Sequence, residues 1–309
     1  MTDRPIKDVA ASVKQRLLNV ARERGDDFNL LLTRYVLERF LYRLTESQYA
    51  GDFVVKGATL FTLWSAAPHR STRDVDLLGF GSPDLARLQS VFAVVGATPV
   101  SVDDGVVFDS KSVRARPIRE QAIYDGIRIE LRARLGTARV LVQVDVGFGD
   151  SIIPSPELRE FPVVLDMPAP KLRAYAPETV IAEKLHALVQ LGMLNTRLKD
   201  YFDLWHLASH HEFDAQTLSS AIAATFTRRK SDLPASIPLG LDETFANDPL
   251  KQKQWTAFLN RTAPKNAAPD LPTAVVAIRN LLLPVLEHLR AGPPFVAGWT
   301  PGDGWQPRS

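Results

Sequence analysis

Apolar residues recur every three or four positions over 6–45: Val13, Leu17, Val20 and Ala21, then Leu30, Leu31, Tyr35, Val36, Phe40 and Leu41. This is the spacing of an apolar stripe on a helix, and the run RGDD at 24–27 interrupts it, so two amphipathic helices are expected. Over 53–164 the grain shortens to FVV, VDLLGF, VVFD, IRIEL and RVLVQVDVGF, which reads as strands. IRIELRARL and ARVLVQVDV both alternate apolar with polar and flank Gly136-Thr137, the pattern of a β-hairpin. GATLFTLWSAA and PDLARLQSVFAVV read as helices between the strands, so the sheet is mixed and the class is α/β. From Glu178 to about Arg290 the period is helical again, after the proline-rich connector FPVVLDMPAPKLRAYAP. The pattern divides the chain into N-terminal helices (1–48), a sheet core (49–168), a C-terminal helical domain (169–292) and a Gly/Pro-rich, extended tail (293–309).

Composition narrows this picture only slightly. An apolar content of 45% over 309 residues is enough for a sizeable core. A net charge of +2 shows no global basic field, so any polyanion-binding surface has to be local. Cysteine is absent, which removes disulfides, thiolate metal sites and thiol catalysis. No stretch is apolar for about 18 residues and the first residues carry no apolar signal core, so a cytoplasmic protein with no membrane partner is expected.

The chemistry concentrates in RSTRDVDLLGF at 70–80. Asp74 and Asp76 open an otherwise apolar strand and, two residues apart, point to one face while Val75 points to the other. Two carboxylates in one small space repel unless a cation lies between them, and Mg²⁺ (or Mn²⁺) suits hard oxygen ligands of this kind. In RVLVQVDVGF the valines share one face and Arg139, Leu141, Gln143 and Asp145 the other; if the two strands are neighbours, Asp145 joins the pair as a third carboxylate. Upstream, VVKGATL reads as strand, glycine turn and helix start, a place where a triphosphate could meet backbone N–H groups. Further on, Lys184 falls on the apolar stripe of Ile181, Leu188 and Leu191, so it either packs its stem on the core or points into a pocket. Asp200 and Asp203 share a helix face among Tyr201, Phe202, Leu204 and Trp205. His186 and His206 adjoin these segments and are given no role.

Taken in order, FVVKGATLFTLW, RSTRDVDL, PETVIAEKLHAL and RLKDYFDLWHL resemble the AbiEii/MenT-type nucleotidyltransferase toxins of the nucleotidyltransferase superfamily. The likeness runs from Lys56 to Leu207, with Ala58 standing where the family usually has a second glycine. The resemblance implies a polymerase-beta-like mixed sheet and an enzyme that transfers NMP from an NTP. It makes Asp74, Asp76 and Asp145 metal ligands, with Lys184 and Asp203 completing the catalytic set, and gives Lys56, Gly57, Thr59, Arg70, Ser71, Thr72 and Asp200 to the nucleotide. Asp200 or Asp203 would orient Lys184 or act at the reactive centre.

The acceptor implied by the family is the 3′ end of tRNA, whose extension blocks aminoacylation and translation. A pyrimidine nucleotide and a cognate antitoxin, a protein or a kinase-like one, are implied in the same way. From the residues themselves, Arg114, Arg116, Arg128, Arg132, Arg134 and Arg139 give the hairpin region a basic excess suited to RNA phosphates. Two alternatives stay open: a protein or small-molecule hydroxyl as acceptor, and a non-catalytic nucleotide-binding module on the same scaffold.

Overall fold

The computed structural model describes residues 8–64, 74–120, 124–262, 269–292 and 295–308. They form two compact units, Met1–Gly149 with Glu157–Ala174, and Asp150–Pro156 with Tyr175–Ser309.

The first unit opens with helices α1 (Val9–Arg24) and α2 (Phe28–Glu46). The break at RGDD follows from its residues. Gly25 closes α1 at φ 67°, which L side chains rarely adopt, and the Asp27 side chain caps α2 by accepting from the Leu30 N–H at 2.9 Å. There follow β1 (Phe53–Lys56), the short α3 (Phe61–Trp64), β2 (Val75–Gly79), α4 (Leu85–Ala97), β3 (Val106–Glu120), β4 (Tyr124–Leu135), β5 (Ala138–Phe148), β6 (Glu157–Glu160) and β7 (Lys171–Ala174).

These seven strands make one mixed sheet in the order β3-β4-β5-β2-β1-β7-β6. The β2–β5 and β1–β7 pairs are parallel and the others antiparallel. The expected hairpin is present, with Leu135 opposite Ala138 across the Gly136-Thr137 turn.

One face of the sheet is apolar: Val55, Leu77, Val146 and Ile127 lie side by side on β1, β2, β5 and β4, and all are buried. Phe53 and Phe108 extend that face onto Phe92 of α4 and Phe40 of α2, with ring centroids 5.4–5.8 Å apart. Each ring so buried contributes ~2–3 kcal/mol. α2 also carries charge inward. Arg43 makes two bonds to Asp104, at 2.6 and 3.1 Å, with both side chains buried, and so ties the helix to the loop before β3.

The proline-rich connector is only partly a connector. Its residues 171–174 form β7, which pairs with β1 through Ala174 and Val55 and with β6 on its other side. The two strands escaped the pattern because they are short and their exposed positions are charged. Glu160 pairs with Lys171 at 2.9 Å across them, and such charges keep a sheet edge from joining another chain.

The second unit holds α5 (Pro177–Leu191), α6 (Leu198–His210), β8 (Phe213–Asp214), α7 (Ala215–Arg228), α8 (Glu243–Asn247), α9 (Pro249–Thr262) and α10 (Leu271–Ala291). It ends in β9 (Ala297–Thr300) and β10 (Gly304–Pro307), a hairpin that joins β8 in a three-stranded sheet. The C-terminal stretch is therefore folded rather than extended. Its glycines serve the turn, Gly302 and Gly304 both having positive φ, and its tryptophans anchor the strands. Trp299 Nε1 donates to the Ala208 carbonyl and Trp305 Nε1 to that of Leu281, each at 2.9 Å. Among the described residues no helix is long and apolar enough to cross a membrane.

Candidate active site

On the face of the sheet opposite the apolar row, the register aligns Lys56 of β1, Asp76 of β2, Asp145 of β5, Arg128 of β4 and Arg116 of β3. Residues opposite one another in a ladder share a face, so this is a continuous charged line across five strands. The condition set on the sequence is met for Asp76: β5 is the neighbour of β2, with Asp145 opposite Asp76. Asp74 stands just before β2 and, like Asp76, is partly buried.

Gly57 adjoins Asp76. It has φ 70°, and a Cβ added there would meet Asp76 Oδ2 at 2.0 Å. The glycine is required both by its backbone angle and by the carboxylate lying against it. After it the chain makes a short 3₁₀ turn, Gly57–Leu60, with Ala58 buried and Thr59 partly buried. Arg70, Ser71 and Thr72, expected at the nucleotide, lie outside the described residues.

Asp145 is engaged. Arg128 Nε donates to Oδ1 at 2.7 Å and Nη2 to Oδ2 at 2.5 Å, a bidentate pair in which both groups are largely buried. With its side-chain amide turned to satisfy both ends, Gln143 on the same face of β5 also accepts from Arg128, at 3.2 Å. Asp145 is thus turned toward β4, and among the described residues no three carboxylates or imidazoles are arranged to hold a metal ion. The residue types nevertheless fit a divalent cation: two hard carboxylates on adjacent strands, one of them over a cradle that a single Cβ would fill.

The register of β4 against β3 and β5 sets Arg116, Arg132, Arg134 and Arg139 on the face that carries Asp76 and Asp145; Arg114 shares it through Glu130. All five are exposed, and Arg116 makes a rim pair with Glu130 at 2.6 Å. Arg128, the sixth arginine of that expected group, differs in being held by Asp145.

In the second unit, Lys184 of α5 meets two carboxylates of α6. Its Nζ lies 2.7 Å from Asp200 Oδ1 and 2.9 Å from Asp203 Oδ2, and both aspartates are 0% exposed. Arg197 Nε adds an ion pair to Asp200 at 2.8 Å. Burial pushes the Asp200 carboxyl up, but Lys184 and Arg197 outweigh it and hold it below the usual carboxylate range. Both aspartates thus contact Lys184, whose side chain is 12% exposed.

Sequence reading missed two of these contacts, Arg128 on Asp145 and Arg197 on Asp200. The first was accessible: a two-residue turn sets the register, and counting seven residues back from Leu135 and seven on from Ala138 places Arg128 opposite Asp145. The second had a weak signal in the i,i+3 spacing of Arg197 and Asp200 in RLKD, blurred because Arg197 is only the N-cap residue of its helix.

The model of a family described as nucleotidyl transferase AbiEii toxin, type IV TA system, matches residues 39–277. No curated protein matches the chain. Two solved structures are similar in outline, each 15% identical with a TM-score of 0.49. A nucleotidyltransferase candidate from H. pylori is covered over 100% of its length by 87% of this chain, and JHP933 from Helicobacter pylori over 95% by 86%. With the family match spanning most of its length, from α2 into α10, the chain belongs to the AbiEii family of nucleotidyl transferase toxins of type IV toxin–antitoxin systems.

Proposed function

We propose that this nucleotidyltransferase moves a nucleoside monophosphate from an NTP to the 3′-hydroxyl of tRNA in the cytoplasm, so blocking aminoacylation and translation. The observation that carries the reading is the charged line Lys56–Asp76–Asp145 on a face that continues into exposed Arg116, Arg132, Arg134 and Arg139. Carboxylates for a cation and cations for a polyanion share one surface, which suits a nucleic-acid acceptor better than a small molecule.

Asp74, Asp76 and Asp145 are the residues that would hold Mg²⁺ or Mn²⁺. When bound, the cation supplies positive charge to the α-phosphate and the departing pyrophosphate. Lys56, beside Asp76 in the ladder, and Thr59, in the turn after Gly57, are assigned to the triphosphate, with Arg70, Ser71 and Thr72. Lys184 is assigned to the phosphates as a point charge kept in place by Asp200 and Asp203. In the reaction the 3′-hydroxyl gives its proton to Asp145, acting as base, or to water, and its oxygen bonds to the α-phosphorus as the bond to the pyrophosphate oxygen breaks and pyrophosphate leaves. The five exposed arginines hold the acceptor by its phosphates without reading bases.

The test is to incubate the protein and its Asp76→Ala variant with Mg²⁺, each α-labelled NTP in turn, and a mixture of tRNA, cell protein and aminoglycosides. Label on tRNA with the wild type alone, strongest with a pyrimidine nucleotide, is the expected result. Label on protein or on aminoglycoside replaces the acceptor, and no label anywhere leaves a binding module.

A further inference from the structure

Among the basic side chains of the sheet's charged face, Arg128 is held by a carboxylate of the candidate active site. Its guanidinium takes one position on each oxygen of Asp145, at 2.7 and 2.5 Å, and the pair is 25% and 15% exposed. The Arg116–Glu130 pair next to it is looser in kind, with one contact at 2.6 Å and side chains 58% and 29% exposed. A planar fork on a carboxylate is among the strongest arrangements an arginine makes, and here both groups are largely withdrawn from water.

Such a pair has a consequence for cation binding. A carboxylate attracts a dication through its negative charge, and the Arg128 charge cancels that of Asp145. The fork also occupies one lone-pair position on each oxygen, leaving fewer for a cation. Asp145 has no spare side chain to replace it: its neighbours on that face of β5 are Gln143, which also turns toward Arg128, and the exposed Leu141.

We propose that Arg128 is a latch on Asp145, a positioning residue that keeps this carboxylate away from the cation site until the guanidinium is withdrawn, so that Arg128 and the divalent cation compete for it. The proposal rests on the reading that Asp76 and Asp145 hold that cation. In the open arrangement Asp145 would join Asp76 at the cation; in the closed one it is turned to Arg128. Arginine and cation therefore oppose one another in binding free energy, and by linkage each weakens the other's hold by the same factor.

The experiment is Mn²⁺ binding to the full chain without nucleotide, followed by electron paramagnetic resonance of the free ion. Arg128→Met is expected to bind Mn²⁺ about tenfold more tightly than wild type, the order of a direct coupling between two ligands of one group. Arg116→Met removes an equal charge from the next strand and should change affinity by much less, which separates the latch from general repulsion. Asp145→Asn should weaken binding, and adding Arg128→Met to it should give no gain, because the latched group is gone. Should Arg128→Met fail to fold by circular dichroism, Arg128→Lys is read instead; with one contact in place of two it should tighten Mn²⁺ by a smaller factor. Unchanged or weaker binding in Arg128→Met, or an equal gain in the Asp145→Asn background, overturns the latch alone. Wild-type and Asp76→Asn proteins binding Mn²⁺ equally, or not at all, overturns the cation site and the latch with it.

Discussion

Gly57 and Asp76 are packed so closely that a single methyl group would separate them: at φ 70° the glycine leaves room for Asp76 Oδ2 where its own Cβ would stand 2.0 Å away. Gly57→Ala therefore adds a strained backbone costing ~1–2 kcal/mol to a forced shift of the carboxylate. Its expected signature is a melting temperature lower by only a few degrees with nucleotidyl transfer reduced by about 100-fold or more. A variant that keeps wild-type activity would show that the Asp76 position is not tied to the glycine.

Lys184 neutralises two aspartates that have no exposure of their own. Lys184→Met leaves Asp200 with Arg197 as its counter-charge and costs ~3 kcal/mol, by the rule that breaking a buried pair strands a charge. The pH dependence has a definite sign. In the wild type Asp200 titrates below its unfolded value, so its contribution is present above that value and lost as acid brings the pH through the folded one. In the variant burial and Asp203 dominate, Asp200 binds its proton more readily, and the stability gap to wild type should narrow as the pH falls. Melting curves at a series of pH values check this, and a gap that is constant with pH contradicts it.

His186 carries an opposite kind of information. Arg229 Nη1 approaches its Nδ1 at 3.0 Å, and because a guanidinium only donates, Nδ1 accepts and the ring proton is on Nε2, which donates to Ser231 Oγ at 2.9 Å. Burial, and then the Arg229 charge, lower the imidazole to about 4. The group's contribution to stability is thus complete above about 6.5, its unfolded value, and is lost as the pH falls to about 4. A proton NMR titration should place the His186 midpoint near the lower figure; a midpoint near the unfolded value would contradict the burial of the ring beside Arg229.

The C-terminal hairpin is anchored by its tryptophans. Trp299 is 6% exposed, and replacing it with alanine should destabilise the second unit by ~3–5 kcal/mol, seen as a shifted thermal transition. An unchanged transition would mean that the hairpin is an ornament rather than part of the core.

The parts legible in the sequence were those governed by period and by local chemistry. The α1–α2 break was visible because Gly25 and Asp27 are cap residues, and the β4–β5 hairpin because Gly136-Thr137 interrupts a strict alternation. Asp76 and Asp145 could be put on one face from alternation, and their adjacency needed only the β2–β5 pairing. What escaped depends on distant partners. β7 is a strand because β1 offers it an edge, and Trp299 and Trp305 fold a Gly/Pro-rich stretch by reaching carbonyls in α6 and α10. That Asp200 or Asp203 could orient Lys184 was open from the sequence, but that both contact it at once depends on how α5 and α6 pack, which an amphipathic pattern does not give.

If the face bearing Asp76 transfers nucleotide to tRNA, as proposed, label should pass from an α-labelled NTP to purified tRNA with Mg²⁺ at a rate that depends on that carboxylate. The wild type should label the 3′ end, and Asp76→Asn, with an unchanged melting curve, should fall to background. Replacing Arg132 and Arg134 together should weaken the dependence on tRNA concentration and lessen its sensitivity to salt. Undiminished labelling by folded Asp76→Asn would show that this face is not where nucleotide is transferred.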